Sequence, residues 1–192
     1  MPTRVLAVRT VSASLGGRSR RYRVRVLWLL AGTALAQLRA FLIFEREMRR
    51  TGGPGIVSFE LAGNTQRARE ILEVWGAQGR SAAGKSLLLD YLFPPTYGAL
   101  QALACDVAAE GFTRRNRRFL AAAGLPLGWA QLLAAGLDYV ENTSLLLVLA
   151  GHDQRAPRVA QRAAQVKFAL ISLGQAYILA SAIDAALTRT RR

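Results

Sequence analysis

Cysteine and histidine are almost absent from this chain of 192 residues: there is one of each, Cys105 and His152. A lone cysteine excludes a disulfide framework, and one cysteine with one histidine cannot make a zinc-finger site. Acid is scarce as well. Twelve Asp+Glu stand against 26 Lys+Arg, a formal charge of +14, and no acid falls in the first 25 residues. Long polar tracts are missing: hydrophobic residues make up 52% of the chain, charged residues 20%, and mean hydropathy is +0.18. A basic chain this apolar is neither a disordered tail nor a histone-like protein. Cys105, in apolar surroundings, reads as a small packing residue, and His152, next to Asp153 in a polar stretch, as a solvated one.

The apolar residues are segregated. Four stretches, about 26–44, 86–109, 124–150 and 166–187, are long and apolar. About 20 such residues at about 1.5 Å each cross a hydrocarbon core. The expected fold is therefore all-α, a four-transmembrane-helix bundle, since a soluble bundle with four such stretches keeps too little polar surface. A basic segment (1–25) precedes a single membrane domain (26–188), and a basic tail (189–192) follows it. With both termini in the cytoplasm, fourteen Lys/Arg lie in inner segments and eleven in outer ones. That asymmetry sets the expected orientation. The expected location is a bacterial inner (plasma) membrane. Ser19-Arg20-Arg21 and Ala34-Leu35-Ala36 are similar to an export signal and its cleavage site, but the apolar run continues past Gln37, which favours an uncleaved signal anchor.

Between the first two stretches, Thr51-Gly52-Gly53-Pro54-Gly55 breaks the chain. Then Ala68, Ile71, Leu72 and Trp75 repeat at i, i+3, i+4, i+7, one face of a helix. Asn64 suits its N-cap and Gly76 its stop, so an amphipathic helix is expected over about 64–76. It is too short and polar to span, and is expected at the membrane interface, capping its own bundle.

Residues 79–86 match GxxxxGK[ST] letter for letter, ending Gly84-Lys85-Ser86. A P-loop needs a strand before it and a helix after it. Here helical periodicity precedes and an apolar span follows, so nucleotide binding is rejected and a small-residue turn is expected, with Lys85 and Arg80 at headgroup level.

Polar groups inside the apolar stretches are the most informative feature, because ionisable residues at membrane depth are costly and face the bundle interior or a wet cavity. Asp90, Pro94, Tyr97 and Gln101 share one helical face. Gln131, Asp138, Glu141, Asn142 and Leu145 share another. Arg39 sits near the outer end of the first stretch. The expectation is one cluster in which Arg39 lies among Asp90, Asp138 and Glu141, completed by Tyr97 and Asn142. It serves as interhelical glue or as a binding cavity. No histidine accompanies these carboxylates and no metal site is expected. Asp106 and Asp184 are expected to pair with the arginines of 114–118 and of the N-terminus. Gly32, Gly98, Gly124, Gly128, Gly136 and Gly174 suit close helix contacts, and Pro94-Pro95 is expected to kink the second span.

The runs SFELAGNTQRAREILEVWG, SLLLDYLFPPTYGALQALAC and GWAQLLAAGLDYVENTSLLLVLAG resemble a group of small, uncharacterised bacterial polytopic membrane proteins with LDYLF and LDxxEN spans. The resemblance covers about 58–180. It implies four spans and directs attention to Glu60, Asp90, Tyr97, Asp138, Glu141 and Asn142, but it implies no activity. The expected function is a membrane protein without recognisable catalytic chemistry, an accessory or structural subunit of a membrane complex. The alternative is a lipid- or small-ligand-binding protein or enzyme that uses the carboxylate, arginine and tyrosine cluster. A proton or ion pathway is the weakest expectation. No catalytic residue stands out, and the cofactor is unknown. Expected partners are membrane lipids, and either other membrane subunits or a second copy. Nucleic acid is not expected, because the arginines flank spans, where they set topology and meet anionic lipids.

Overall fold

The computed structural model describes residues 20–152 and 154–190. Most of the basic N-terminal segment, Ser19 of the export-signal reading, Asp153 and residues 191–192 lie outside them. Among the described residues all regular structure is helical: α1 (Arg20–Arg50), α2 (Ile56–Glu60), α3 (Thr65–Asp90), α4 (Phe93–Arg114), α5 (Arg118–Ala122), α6 (Gly124–Leu149) and α7 (Ala156–Thr190). Three stretches are long and apolar enough to cross a membrane: Tyr22–Arg50, Arg118–Leu149 and Ala156–Thr190. This points to an integral membrane protein.

The amphipathic helix forms where its periodicity places it. The Asn64 side chain accepts from the Arg67 N–H at 2.8 Å, which satisfies an orphan donor of the first turn. Ala68, Ile71, Leu72 and Trp75 are buried. Gly76, at φ +56° and ψ −159°, breaks the regular helix. The chain then resumes helical geometry to Asp90, and Arg80 reaches back across the break to the Leu72 carbonyl (2.8 Å). Residues 79–86 are therefore helix rather than the expected turn. Their N–H groups serve the helix, so no phosphate-wrapping loop exists there.

The second expected span, 86–109, is not one kinked helix. α3 stops at Asp90, Tyr91 and Leu92 turn, and α4 opens at Phe93. Pro94 and Pro95 sit in the first turn of α4, where a missing N–H costs little. A Gln37 amide donates to the Leu92 carbonyl at this break (3.0 Å). α4 then packs against α1, α6 and α7. From Thr96 to Phe112 none of its residues is exposed.

The last helix starts ten residues before the expected 166, because the polar stretch ahead of it is already helical. Pro157 fits that first turn. Ala160, Ala163, Ala164, Lys167 and Gly174 then form a buried small-residue stripe against α6. Of the glycines, Gly98 lies against Ala135, Gly124 against Ala109 and Gly174 against Gln131. Gly32 and Gly136 meet nothing within 4 Å where a Cβ would stand, so they make no close helix contact among the described residues.

Beside the bundle, α2 and the first half of α3 fold back onto the end of α1. Trp75 is the centre of this cap. It is 1% exposed, its ring packs at a tilt against Phe59 with centroids 5.1 Å apart, and its indole N–H donates to the Pro54 carbonyl at 2.8 Å. Glu45, near the end of α1, accepts from the Ile56 N–H (3.0 Å) and so holds the start of α2. Glu60, at the end of α2, is carried into the bundle by this fold-back.

Candidate functional site

The helices bring two polar clusters together. The first gathers near the ends of α4 and α7. Arg23 of α1 pairs with Asp106 (2.9 Å) and with Glu110, which also holds Arg114 at 3.0 Å. Arg115 pairs with Asp184 (2.6 Å) and bonds the Ser181 hydroxyl and carbonyl, each at 3.0 Å. Arg117 adds a second contact to Asp184 at 3.3 Å. These are the expected partnerships of Asp106 and Asp184. They tie α1, α4 and α7 into one end of the molecule.

The second cluster is the candidate site. Asp138 and Glu141 lie one helical turn apart on the buried face of α6, and α7 delivers Lys167 between them. The Lys167 ammonium stands 2.7 Å from Asp138 and 2.6 Å from Glu141. All three side chains are buried, and Glu141 is 0% exposed. Asn142, also 0% exposed, donates its amide to Asp90 at 2.9 Å across the α3–α6 contact. One residue on, Tyr91 and Thr143 share a hydroxyl–hydroxyl bond of 2.7 Å. The Tyr97 hydroxyl is buried beside the Asp138 carboxylate. Glu60 arrives from α2, 8% exposed, and faces Lys167, Asp138 and Glu141. Its burial pushes the carboxyl above the ordinary glutamate range, and the Lys167 charge offsets only part of that.

Asp90, Tyr97, Asp138, Glu141 and Asn142 thus meet as expected, but Arg39 does not join them. The face of α1 that packs inward carries Ala34, Gln37, Phe41, Phe44 and Met48. Arg39 is two residues from Gln37, about 200° around the helix at 3.6 residues per turn. It points outward, is exposed, and makes no ion pair among the described residues. The cation of the cluster is Lys167. With the fourth span expected over 166–187, Lys167 falls at its very start. The helix starts at Ala156, so Lys167 lies about 16 Å inside it. The stripe of Ala160, Ala163 and Ala164 on the same face is the sequence signal that reveals this.

Four carboxyls, of Glu60, Asp90, Asp138 and Glu141, surround one ammonium. The excess negative charge requires protons or another cation to balance it. Glu141 Oε1 and the Asn142 carbonyl oxygen are buried acceptors without a hydrogen-bond partner. Among the described residues no group of three or more His, Cys, Asp or Glu has metal-site geometry. Chemically, the arrangement can hold protons and lock α2, α3, α6 and α7 together. No protein family, curated protein or solved structure matches the chain.

Proposed function

We propose that this is a four-span membrane protein with both termini in the cytoplasm, acting as a non-catalytic accessory subunit of a bacterial inner-membrane complex. The observation that carries this reading is the buried, ion-paired centre of the polar cluster. Its central acids meet one lysine at ion-pair distance, and Asp138, Glu141, Asn142 and Lys167 are all buried against neighbouring helices. Such a knot fixes helix register in a medium where apolar surfaces give little discrimination. The fourth span in this reading is α4. Enclosed by α1, α6 and α7, it needs less hydropathy than a lipid-facing helix, which accounts for Asp106 and Glu110 within it. The resemblance to small polytopic proteins agrees with this reading.

The test is native mass spectrometry on protein extracted from its own membranes in mild detergent. Partner polypeptides at fixed stoichiometry are expected. A lone bundle carrying a defined lipid or small molecule contradicts the subunit reading. A second reading rests on the carboxyl excess and the unpaired Glu141 and Asn142 oxygens: a site that takes up protons or a small ligand. Asp138→Asn that abolishes a bound ligand while leaving the fold intact favours it.

A further inference from the structure

α1 is the least covered of the apolar helices. Only 6% of its most apolar 18-residue stretch is buried. Lipid alone covers an apolar face, so exposure by itself says nothing. Arg39 changes this. Trp28, Gly32, Ala36, Arg39 and Ile43 repeat at i, i+4, i+8, i+11, i+15, one stripe of the helix, and all five are exposed. The stripe lies opposite the face that packs on α3 and α4. Arg46 and Arg50 extend it into the polar end of α1.

An arginine in this position needs an acceptor, and three are conceivable. The first is a lipid phosphate. The apolar run ends at Phe44, five residues beyond Arg39, but helical side chains lean towards the N-terminus. Arg39 is tilted away from that end and into the longer apolar stretch towards Trp28. Arg46 and Arg50, both exposed, lie beyond the apolar run and nearer that end. The second is a copy of this chain. Asp106, Glu110, Asp138, Glu141 and Asp184 are ion-paired within the chain, and Asp90 is bonded by Asn142. A parallel pairing of two α1 helices sets arginine against arginine. The third is a carboxylate on another protein. The small residues Ala36 and Gly32, one and two turns from Arg39, let a second helix approach closely, and nothing among the described residues fills the space at Gly32.

We propose that the outward stripe of α1 docks a transmembrane helix of a different membrane protein, one that places an Asp or Glu opposite Arg39. This rests on the subunit reading and names the chemistry of the partner.

The full chain, labelled and reconstituted in phosphatidylcholine nanodiscs, is titrated by energy transfer with a designed leucine-rich helix. The helix carries one Asp at the depth of Arg39, or Leu there as control. The wild type binds the Asp helix about tenfold more tightly than the Leu helix. Arg39→Leu removes that preference, and Arg39→Glu shifts it to a helix carrying Lys. Unfolding of Arg39→Leu is unchanged, because Arg39 pairs with nothing among the described residues. Equal binding of the Asp and Leu helices overturns the proposal, as does a preference that survives Arg39→Leu. Arg39-dependent association of two labelled copies assigns the stripe to self-pairing. Loss of the Asp preference when phosphatidylglycerol is added assigns Arg39 to lipid phosphate. Either result overturns the proposal. In native extracts, a stoichiometric partner that Arg39→Leu retains leaves the subunit reading standing and overturns this one. A wild type that carries no partner fails both.

Discussion

Lys167 holds two carboxylates at once, and no other basic side chain among the described residues reaches them. Lys167→Met leaves buried negative charge uncompensated and is expected to cost about 3 kcal/mol of stability. Adding Asp138→Asn and Glu141→Gln to Lys167→Met recovers most of it. Thermal unfolding of the wild type, the single variant and the triple variant in one lipid composition checks this; a silent single variant removes the structural role. Glu60 sets a pH dependence. Its carboxyl is raised by burial, so the folded state binds its proton more tightly than the unfolded state. The stability it contributes is complete below the ordinary glutamate range and is lost as pH rises through the folded value. Glu60→Gln is expected to flatten the fall of stability as pH rises above the ordinary glutamate range, and an unchanged slope contradicts this. Asp90, Asp138, Glu141 and Asn142 were legible as a cluster because acids inside an apolar run have few other places to go. The cation of the cluster was not legible: Arg39 is expected where Lys167 stands, because rotation about a lone helix and the start of α7 both decide where a cation points, and neither is marked by hydropathy.

At the scale of elements, the local signals that sequence carries are capping, periodicity and small residues. Asn64, the Ala68–Ile71–Leu72–Trp75 face and Gly76 define their helix because cap, stripe and stop agree. Asn64→Ala is expected to cost about 1 kcal/mol. The break between α3 and α4 was legible only in part. A proline pair reads equally as a kink within a span or as the first turn of a new helix, and the choice depends on neighbours such as Gln37. The glycines separate cleanly by contact. A Cβ on Gly98 would stand 2.8 Å from that of Ala135, and one on Gly124 would stand 2.4 Å from that of Ala109. Gly98→Val and Gly124→Val are each expected to destabilise the α4–α6 contact by about 1–3 kcal/mol. Gly136→Ala, facing open space, is expected to be neutral or to stabilise by up to about 1 kcal/mol. Unfolding of the three variants side by side checks the packing, and equal effects contradict it.

For the whole molecule, two ionic clusters hold one bundle: Arg23, Asp106, Glu110, Arg115 and Asp184 at one end, and Lys167 with its carboxylates deeper inside it. The helical class, and three helices long and apolar enough to cross a membrane, follow from the apolar stretches of the sequence. The fourth depends on packing, since α4 is shielded by its neighbours and its hydropathy falls below that of a lipid-facing helix. Crossing by α4 is therefore the central claim, and it fixes the sidedness of each loop. The measurement is cysteine accessibility in sealed vesicles, at Gln66, Asn116 and Gln154, in a Cys105→Ala background that removes the chain's one buried cysteine. Four spans predict Gln66 and Gln154 labelled from the same side and Asn116 from the other. Gln66 and Asn116 on one side with Gln154 opposite them would mean that α4 does not cross, and would contradict the four-span bundle.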